Sequence, residues 1–377
     1  MKYYEFFAGG GMAKAGLGDQ WECLFANDID AKKAKSYGLN WSLESFVLKD
    51  VAQIEAEELP DYADLAWASF PCQDLSLAGK GTGLQGERSG TFWSFWKLME
   101  SLAKQSRTPK IIVLENVYGA LTSRNGKDFA AIAEAFSTLG FRFGATVINA
   151  SKFLPQSRPR LFIIGVAPGV LVPQSLTGSE PTTWIHPSAA EKSFQNLLPH
   201  LRKQWLWWKL PEPPQRDISF IDLLENNPQG VEWHTPDETR RLLSMMTEVN
   251  LQKVNSAKLS GKREVAGLYR RTRNKVQRAE ARFDGLAGCL RTPGGGSSRQ
   301  TVLIVEGESV RSRLLSTREA ARLMGLPDTY QLPERYNEAY HLLGDGLVVP
   351  VVRHIAKHIL EPLSKFNQAK ISTMEVA

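Results

Sequence analysis

Between residues 3 and 166, short apolar runs alternate with stretches of helical spacing, and this alternation limits the fold more than any other feature of the chain. Residues 3–7, 22–26, 46–49, 65–70, 111–114, 142–148 and 161–166 are runs of strand length bounded by turn residues. Residues 12–17, a lysine- and alanine-bearing stretch ending at Tyr37, and residues 92–102 and 129–139 have helical patterning between them. Strands separated by helices predict an α/β fold with a doubly wound, mostly parallel sheet. In such a sheet ligands collect outside the carboxyl ends of the strands, where the loops form a crevice. Residues at those ends are the first candidates for chemistry.

A chain of 377 residues exceeds one ordinary core and implies two domains, or one domain with a large insertion. The strand–helix pattern dissolves after about Ala167, where Pro, Gly, Trp and basic residues become frequent. The expected layout is a first domain over 1–167, a smaller irregular domain over 168–325, returning helices over 326–365 and a loose tail over 366–377. A helix over 317–324 is predicted from its capping pair, Ser316 and Glu319, and another over 348–360. Hydrophobic residues at 42% and charged residues at 23% describe a soluble globular chain. No apolar window has the length of a membrane span, and residues 1–5 carry no signal segment, so a cytoplasmic protein without a membrane partner is expected. Cys23, Cys72 and Cys289 are too few and too scattered for a disulfide framework.

Several strand ends carry reactive groups. Cys72 follows residues 65–70 across a proline turn; it is either an exposed nucleophile or a small buried hydrophobe. Gly9 and Gly11 make a glycine turn after the first strand, but Lys14 stands where the dinucleotide fingerprint requires its third glycine. Asp28 could take both hydroxyls of a ribose and Asp50 an exocyclic amine; either could instead cap a helix. Together they outline an adenosine pocket. Glu115, after the fifth strand, is either a helix cap or a buried carboxyl able to donate to a heterocycle nitrogen. Alternation directs Arg158 and Arg160 to one side of the following strand, and surface salt bridges are their plainer use. The net charge is +6, while residues 253–282 alone carry ten Lys or Arg against two Glu, a local excess that suits a polyanion or a merely solvated face. His354 and His358 stand four apart without a third metal ligand, and no metal is expected.

In order, Phe7-x-Gly9-x-Gly11, Pro71-Cys72-Gln73, Glu115-Asn116-Val117, Gln156-x-Arg158-x-Arg160, Arg291-Thr292-Pro293-Gly294-Gly295 and Gly344-Asp345-Gly346 resemble the motif set of the DNA (cytosine-5) methyltransferases of bacterial restriction-modification systems. The resemblance spans roughly residues 3–166 and 288–360 and leaves the middle as a target-recognition region. It implies methyl transfer from S-adenosylmethionine to C5 of a cytosine flipped out of double-stranded DNA. Cys72 would attack C6, Glu115 would hold N3 and the exocyclic amine, and Arg160, supported by Arg158, would bind the O2 edge. Phe7, Gly9, Gly11, Asp28, Ile29, Asp50, Pro71, Phe92, Asp345 and Gly346 would line the cofactor site. Gln73 and Ser76, on the loop through Gly90, would close over the base; Arg270, Arg271, Arg273 and Arg291 would contact DNA. The chain departs from the pattern at Glu5, where aspartate is common, at Met12, where a glycine is frequent, and at Asp345, where asparagine is frequent. A monomer is expected, with any cognate restriction endonuclease a genetic rather than a physical partner.

Two other enzymes and one binding protein compete with this reading. A zinc cytidine deaminase needs H-x-E and P-C-x-x-C; no histidine here has glutamate two residues on, and position 75 is Leu75. A transfer-RNA cytosine-5 methyltransferase could use the same motifs, although the long basic insert favours duplex DNA. A silent DNA-binding adaptor would not need Cys72, Glu115 and Arg160 together.

Overall fold

The computed structural model describes residues 1–71, 84, 90–273, 276–292 and 299–375. They form two compact units, the first made of Met1–Ile148, Pro159–Glu212 and Val349–Ala377, the second of Asn149–Arg158 and Pro213–Val348.

In the first unit, β1 (Lys2–Phe6), α1 (Met12–Leu17), β2 (Glu22–Asp28), α2 (Ala31–Gly38), β3 (Phe46–Leu48), β4 (Leu65–Ala68), α3 (Thr91–Lys104), β5 (Ile111–Val117), α4 (Lys127–Thr138), β6 (Arg142–Asn149) and β7 (Pro159–Val166) follow one another. The strands form a seven-stranded sheet in the order β3-β2-β1-β4-β5-β7-β6. β1 is parallel to β2 and β4, β4 is parallel to β5, and β7 runs antiparallel to β5. Strand order reverses between β1 and β4, so the crevice expected of a doubly wound sheet opens where Phe7 and Pro71 follow their strands. Apolar residues three and four apart explain α3: Phe92, Phe95, Trp96, Met99 and Leu102 are all buried in the core beside Phe6, Phe70 and Phe136. Each such side chain stabilises the fold by roughly 1.5–3 kcal/mol relative to exposure.

Residues 168–212 belong to this unit and not, as expected, to the smaller one. They form β8 (Thr177–Gly178), α5 (Ser188–Gln195), α6 (Pro199–Lys203) and β9 (Trp207–Trp208). Leu197, Leu201 and Trp205 enter the core of the large sheet, the Trp208 indole donates to the Ile164 carbonyl at 3.2 Å, and Phe143 N–H donates to the Gln204 carbonyl at 3.0 Å.

The second unit is more regular than its composition suggests. It contains α7 (Pro236–Ser244), α8 (Glu248–Leu259), β10 (Arg263–Arg273), β11 (Val276–Arg282), β12 (Thr301–Glu306), β13 (Ser309–Leu314), α9 (Thr317–Leu323) and α10 (Tyr336–Asp345). The strands form an antiparallel sheet in the order β11-β10-β12-β13. Leu242 and Met246 beside α7 and its end, with Val254 and Ala257 of α8, pack on Ala266, Leu268, Ala279 and Ala281. The predicted capping box opens α9: Ser316 Oγ accepts from Glu319 N–H at 3.1 Å, and Glu319 Oε2 accepts from Ser316 N–H at 2.8 Å. The same carboxylate, wholly buried, receives both arms of Arg313 at 2.8 and 2.6 Å.

The chain then returns to the first unit as α11 (Val349–Ile355), a short π segment, and α12 (Glu361–Glu375). α11 packs on α1 so closely that a β-carbon on Gly16 would stand 2.4 Å from Val352 Cβ, and Arg353 donates to the Leu17 carbonyl at 2.7 Å. The expected loose tail after residue 366 is mostly helix, anchored where Asn367 and the Leu171 backbone exchange two hydrogen bonds of 2.9 Å. No helix among the described residues is long and apolar enough to cross a membrane.

Candidate active site

The glycine turn after β1 is shaped by its backbone. Phe7 has a φ of 60°, Gly9 58° and Gly11 77°, all left-handed. For Phe7 this costs of order 1–3 kcal/mol, and strain of this kind clusters at ligand-holding turns. Gly11 can only be glycine, because a β-carbon there would sit 2.3 Å from the Trp41 indole nitrogen. At Gly9 a β-carbon would meet nothing within 4 Å, so the turn leaves open space at that point.

Asp28 ends β2 and ties this turn down: its Oδ2 accepts from Gly9 N–H and its Oδ1 from Asp30 N–H, both at 2.9 Å. Ile29 beside it is 65% exposed, an apolar surface placed in solvent at a strand end. Asp50 caps a short 3₁₀ turn, accepting from Ala52 N–H at 2.9 Å. Phe92, expected to line the cofactor site, is spent on the core; it is 0% exposed, with ring contacts to Phe70 at 5.4 Å and Trp96 at 5.8 Å.

Glu5, on β1 ahead of the turn, is buried, and its Oε2 has no hydrogen-bond partner among the described residues. Burial pushes its carboxyl from 4.5 up to about 8, opposed by Lys14 and reinforced by Asp28. Between those two values the folded chain holds a proton that the unfolded chain has lost, so this group's contribution to stability falls as pH rises through the window. Above about pH 8 the full cost of a buried charge stands. Glu5→Gln should therefore stabilise the chain by about 2 kcal/mol more at pH 9 than at pH 6, read from denaturant melts. An equal effect at both pH values would contradict the buried neutral carboxyl.

Cys72, Gln73 and Ser76 lie outside the described residues, as do Pro293, Gly294 and Gly295. What leads into Cys72 is described. Asn116 Nδ2 donates to the Phe70 carbonyl at 3.1 Å, tying the end of β4 to the end of β5 beside Glu115. The sequence motif contains Asn116 but does not disclose this tether.

Across the antiparallel pair, Arg160 faces Val117 and Phe162 faces Glu115, so Arg160 and Glu115 are diagonal neighbours on one side of the sheet. Arg160 Nε lies 3.2 Å from Glu115 Oε1, with both side chains mostly buried. Arg158 does not join them. Pro159 opens β7, and Arg158 precedes it in a turn where its N–H donates to Asn149 Oδ1 at 2.9 Å. Alternation therefore does not reach it. Its guanidinium is buried in the second unit, donating to the carbonyls of Leu290 at 3.0 Å, Gly344 at 2.8 Å and Gly346 at 2.7 Å, and contacting Cys289 Sγ at 3.3 Å. Gln156 serves the same unit: its Nε2 donates to the Leu323 carbonyl at 2.8 Å, and its Oε1 accepts from Leu290 N–H at 3.3 Å. Asp345, the last residue of α10, is exposed, and Gly346 with a φ of −74° is not in a glycine-only conformation. Arg291 is exposed.

His354 Nε2 lies 2.8 Å from the Pro211 carbonyl, and no cluster of three or more potential metal ligands occurs among the described residues.

A family model described as C-5 cytosine-specific DNA methylase matches residues 1–361. The chain is 25% identical over 374 residues to the type II methyltransferase M.DsaV of Dactylococcopsis salina, covering 98% of this chain and 89% of that protein. It is 25% identical over 364 residues to the type II methyltransferase M.HhaI of Haemophilus parahaemolyticus, covering 95% and 94%. Among solved structures, the Entamoeba histolytica methyltransferase EhMeth shares the fold with a TM-score of 0.64 at 15% identity, over 96% of this chain and 98% of that one. With the family matched along almost its whole length, the chain belongs to the C-5 cytosine-specific DNA methylases and is a DNA (cytosine-5)-methyltransferase.

Proposed function

We propose that this chain methylates C5 of a cytosine flipped out of a specific duplex DNA sequence, through a transient bond between Cys72 and cytosine C6. The observation that carries the reading is the Glu115–Arg160 pair at 3.2 Å, with Asn116 holding the backbone that leads to Cys72. A carboxyl and a guanidinium on one side of neighbouring strands suit the two polar edges of a cytosine ring. Glu115 serves N3 and the exocyclic amine, and Arg160 serves O2. As the Cys72 thiolate adds to C6, electron density moves onto the ring, where Glu115 supplies a proton and Arg160 stabilises the charge. C5 thereby becomes the nucleophile. Once C5 carries the methyl group, loss of its proton to solvent restores the C5–C6 double bond and expels Cys72 as the thiolate.

S-adenosylmethionine, when bound, supplies the electrophilic methyl carbon. The residues present fit it: open space over Gly9, an exposed apolar face at Ile29, and carboxylates at Asp28 and Asp50 for an adenosine. Phe7, Gly11, Pro71, Asp345 and Gly346 complete the proposed set.

The test is covalent trapping. Incubated with S-adenosylmethionine and duplex DNA in which 5-fluorocytosine replaces cytosine, the chain should form an adduct that survives denaturing electrophoresis, because fluorine cannot leave C5 as a proton does. Adduct on RNA but not on DNA, or none at all, would overturn the reading.

A further inference from the structure

The ribbon of β10 and β11 distributes its positive charge over two faces, and the pairing register separates them. Opposite residues of an antiparallel ladder share a face, and successive residues alternate. Leu268 opposite Ala281 and Arg270 opposite Ala279 lie on one face; Tyr269 opposite Glu280, Arg271 opposite Arg278, and Arg273 opposite Val276 lie on the other. On the first face Leu268, Ala279 and Ala281 are buried in the core shared with α7 and α8. Arg270 therefore shares the face that packs on α7 and α8, although it is itself exposed, and is separated from Arg271 and Arg273, which stand with it in the sequence. The side chain of Arg273 is outside what the structure describes.

The second face places two arginines directly opposite each other, an unfavourable arrangement in isolation. Glu280 answers only one of them: its Oε2 stands 3.9 Å from Arg271 Nε. The Arg271 guanidinium also lies over the Tyr269 ring, 4.6 Å from its centre. Arg282 is taken by Asp284, its Nε donating to Oδ1 at 2.9 Å. Arg278, one of the basic residues of the 253–282 stretch, has no ion pair among the described residues.

Resting on the methyltransferase reading, we propose that this face of the β10–β11 ribbon lies in the DNA major groove, with Arg271 reading a guanine edge and Arg278 binding a backbone phosphate. The major groove admits a two-stranded ribbon, and an arginine fork matches guanine O6 and N7. The Tyr269 ring beneath Arg271 and the Glu280 carboxylate near its Nε restrict the guanidinium, so less side-chain freedom is lost when its terminal nitrogens bind. Arg278, with a like charge opposite and no carboxylate, is relieved by a phosphate.

Arg271→Lys, Arg278→Gln and Arg270→Gln in the full chain separate these roles. Bisulfite sequencing of plasmid DNA from expressing cells defines the methylated site; binding to that site and to a scrambled duplex is then measured across salt concentrations. Arg271→Lys keeps the charge and loses the fork, so discrimination at one base pair should fall about ten- to a hundredfold with the salt dependence unchanged. Arg278→Gln should weaken both duplexes alike and reduce the slope of log affinity against log salt by about 0.9, the loss of one phosphate contact. Arg270→Gln should do neither. An unaltered methylated site in Arg271→Lys with an unaltered slope in Arg278→Gln would overturn the proposal, as would transfer of either effect to Arg270→Gln. If wild type leaves the DNA unmethylated, the site is taken instead from duplexes selected by binding to it, and the same variant effects on that site would sink the catalytic reading and uphold the ribbon assignment.

Discussion

Cys72→Ser is expected to lower methyl transfer on the order of ten-thousandfold or more while duplex DNA binding persists. The reason is ionisation. A cysteine thiol with an ordinary pKa near 8.5 supplies some thiolate at neutral pH, and a cationic or hydrogen-bonded site supplies more; a serine hydroxyl supplies essentially none. The lead-in to the site keeps its supports, since Phe70 is held by Asn116 and by the Phe92 ring. Single-turnover transfer of a labelled methyl group, run beside filter binding of the same DNA, separates chemistry from binding. Activity within tenfold of wild type would remove the covalent mechanism, whatever the family.

The second large effect divides two arginines that stand two residues apart. Arg158→Ala should destabilise the second unit by about 3–5 kcal/mol, because it takes this donor from the buried carbonyls of Leu290 and Gly344 and the part-buried carbonyl of Gly346. Arg158→Lys should rescue only part of this, since one ammonium cannot reproduce a planar fork. Arg160→Ala should cost less stability than Arg158→Ala, through loss of the guanidinium beside the mostly buried Glu115, yet lower turnover about 10²- to 10³-fold through loss of charge stabilisation at the ring. Calorimetry of the full chain, paired with turnover at a temperature where every variant is folded, reads the difference. If Arg158→Ala folds as well as wild type but loses activity as Arg160→Ala does, the two act together on the substrate and the division drawn here is wrong.

These two residues also show where sequence reasoning reaches and where it stops. Strand alternation is a rule for residues inside a strand, and nothing in Gln156-x-Arg158-x-Arg160 says that the strand begins between its arginines. The α/β pattern of the first unit was legible because its strands are buried on both faces and read as continuous apolar runs, while α3 shows an uninterrupted apolar stripe. The glycine turn and Glu115 were placed by that pattern. The sheet of the second unit was not, because the inward positions of its ribbon are mostly alanine, namely Ala266, Ala279 and Ala281, set among outward arginines. Such a strand reads as a basic loop. Residues 168–212 misled in the opposite direction: they are irregular, yet their tryptophans complete the first core. Phe92 lay near the expected cofactor site in sequence, and only packing reveals that the core claims it.

The closeness of α11 to Gly16 has a consequence for how the protein is made. The surface of α1 that receives Val352 is translated more than 330 residues before its partner, at roughly 5–20 residues per second an interval of about 17–66 s. During that interval the α1 surface of the nascent chain lacks the side chain that covers it. A chaperone that shields α1 during synthesis should therefore raise the yield of folded enzyme.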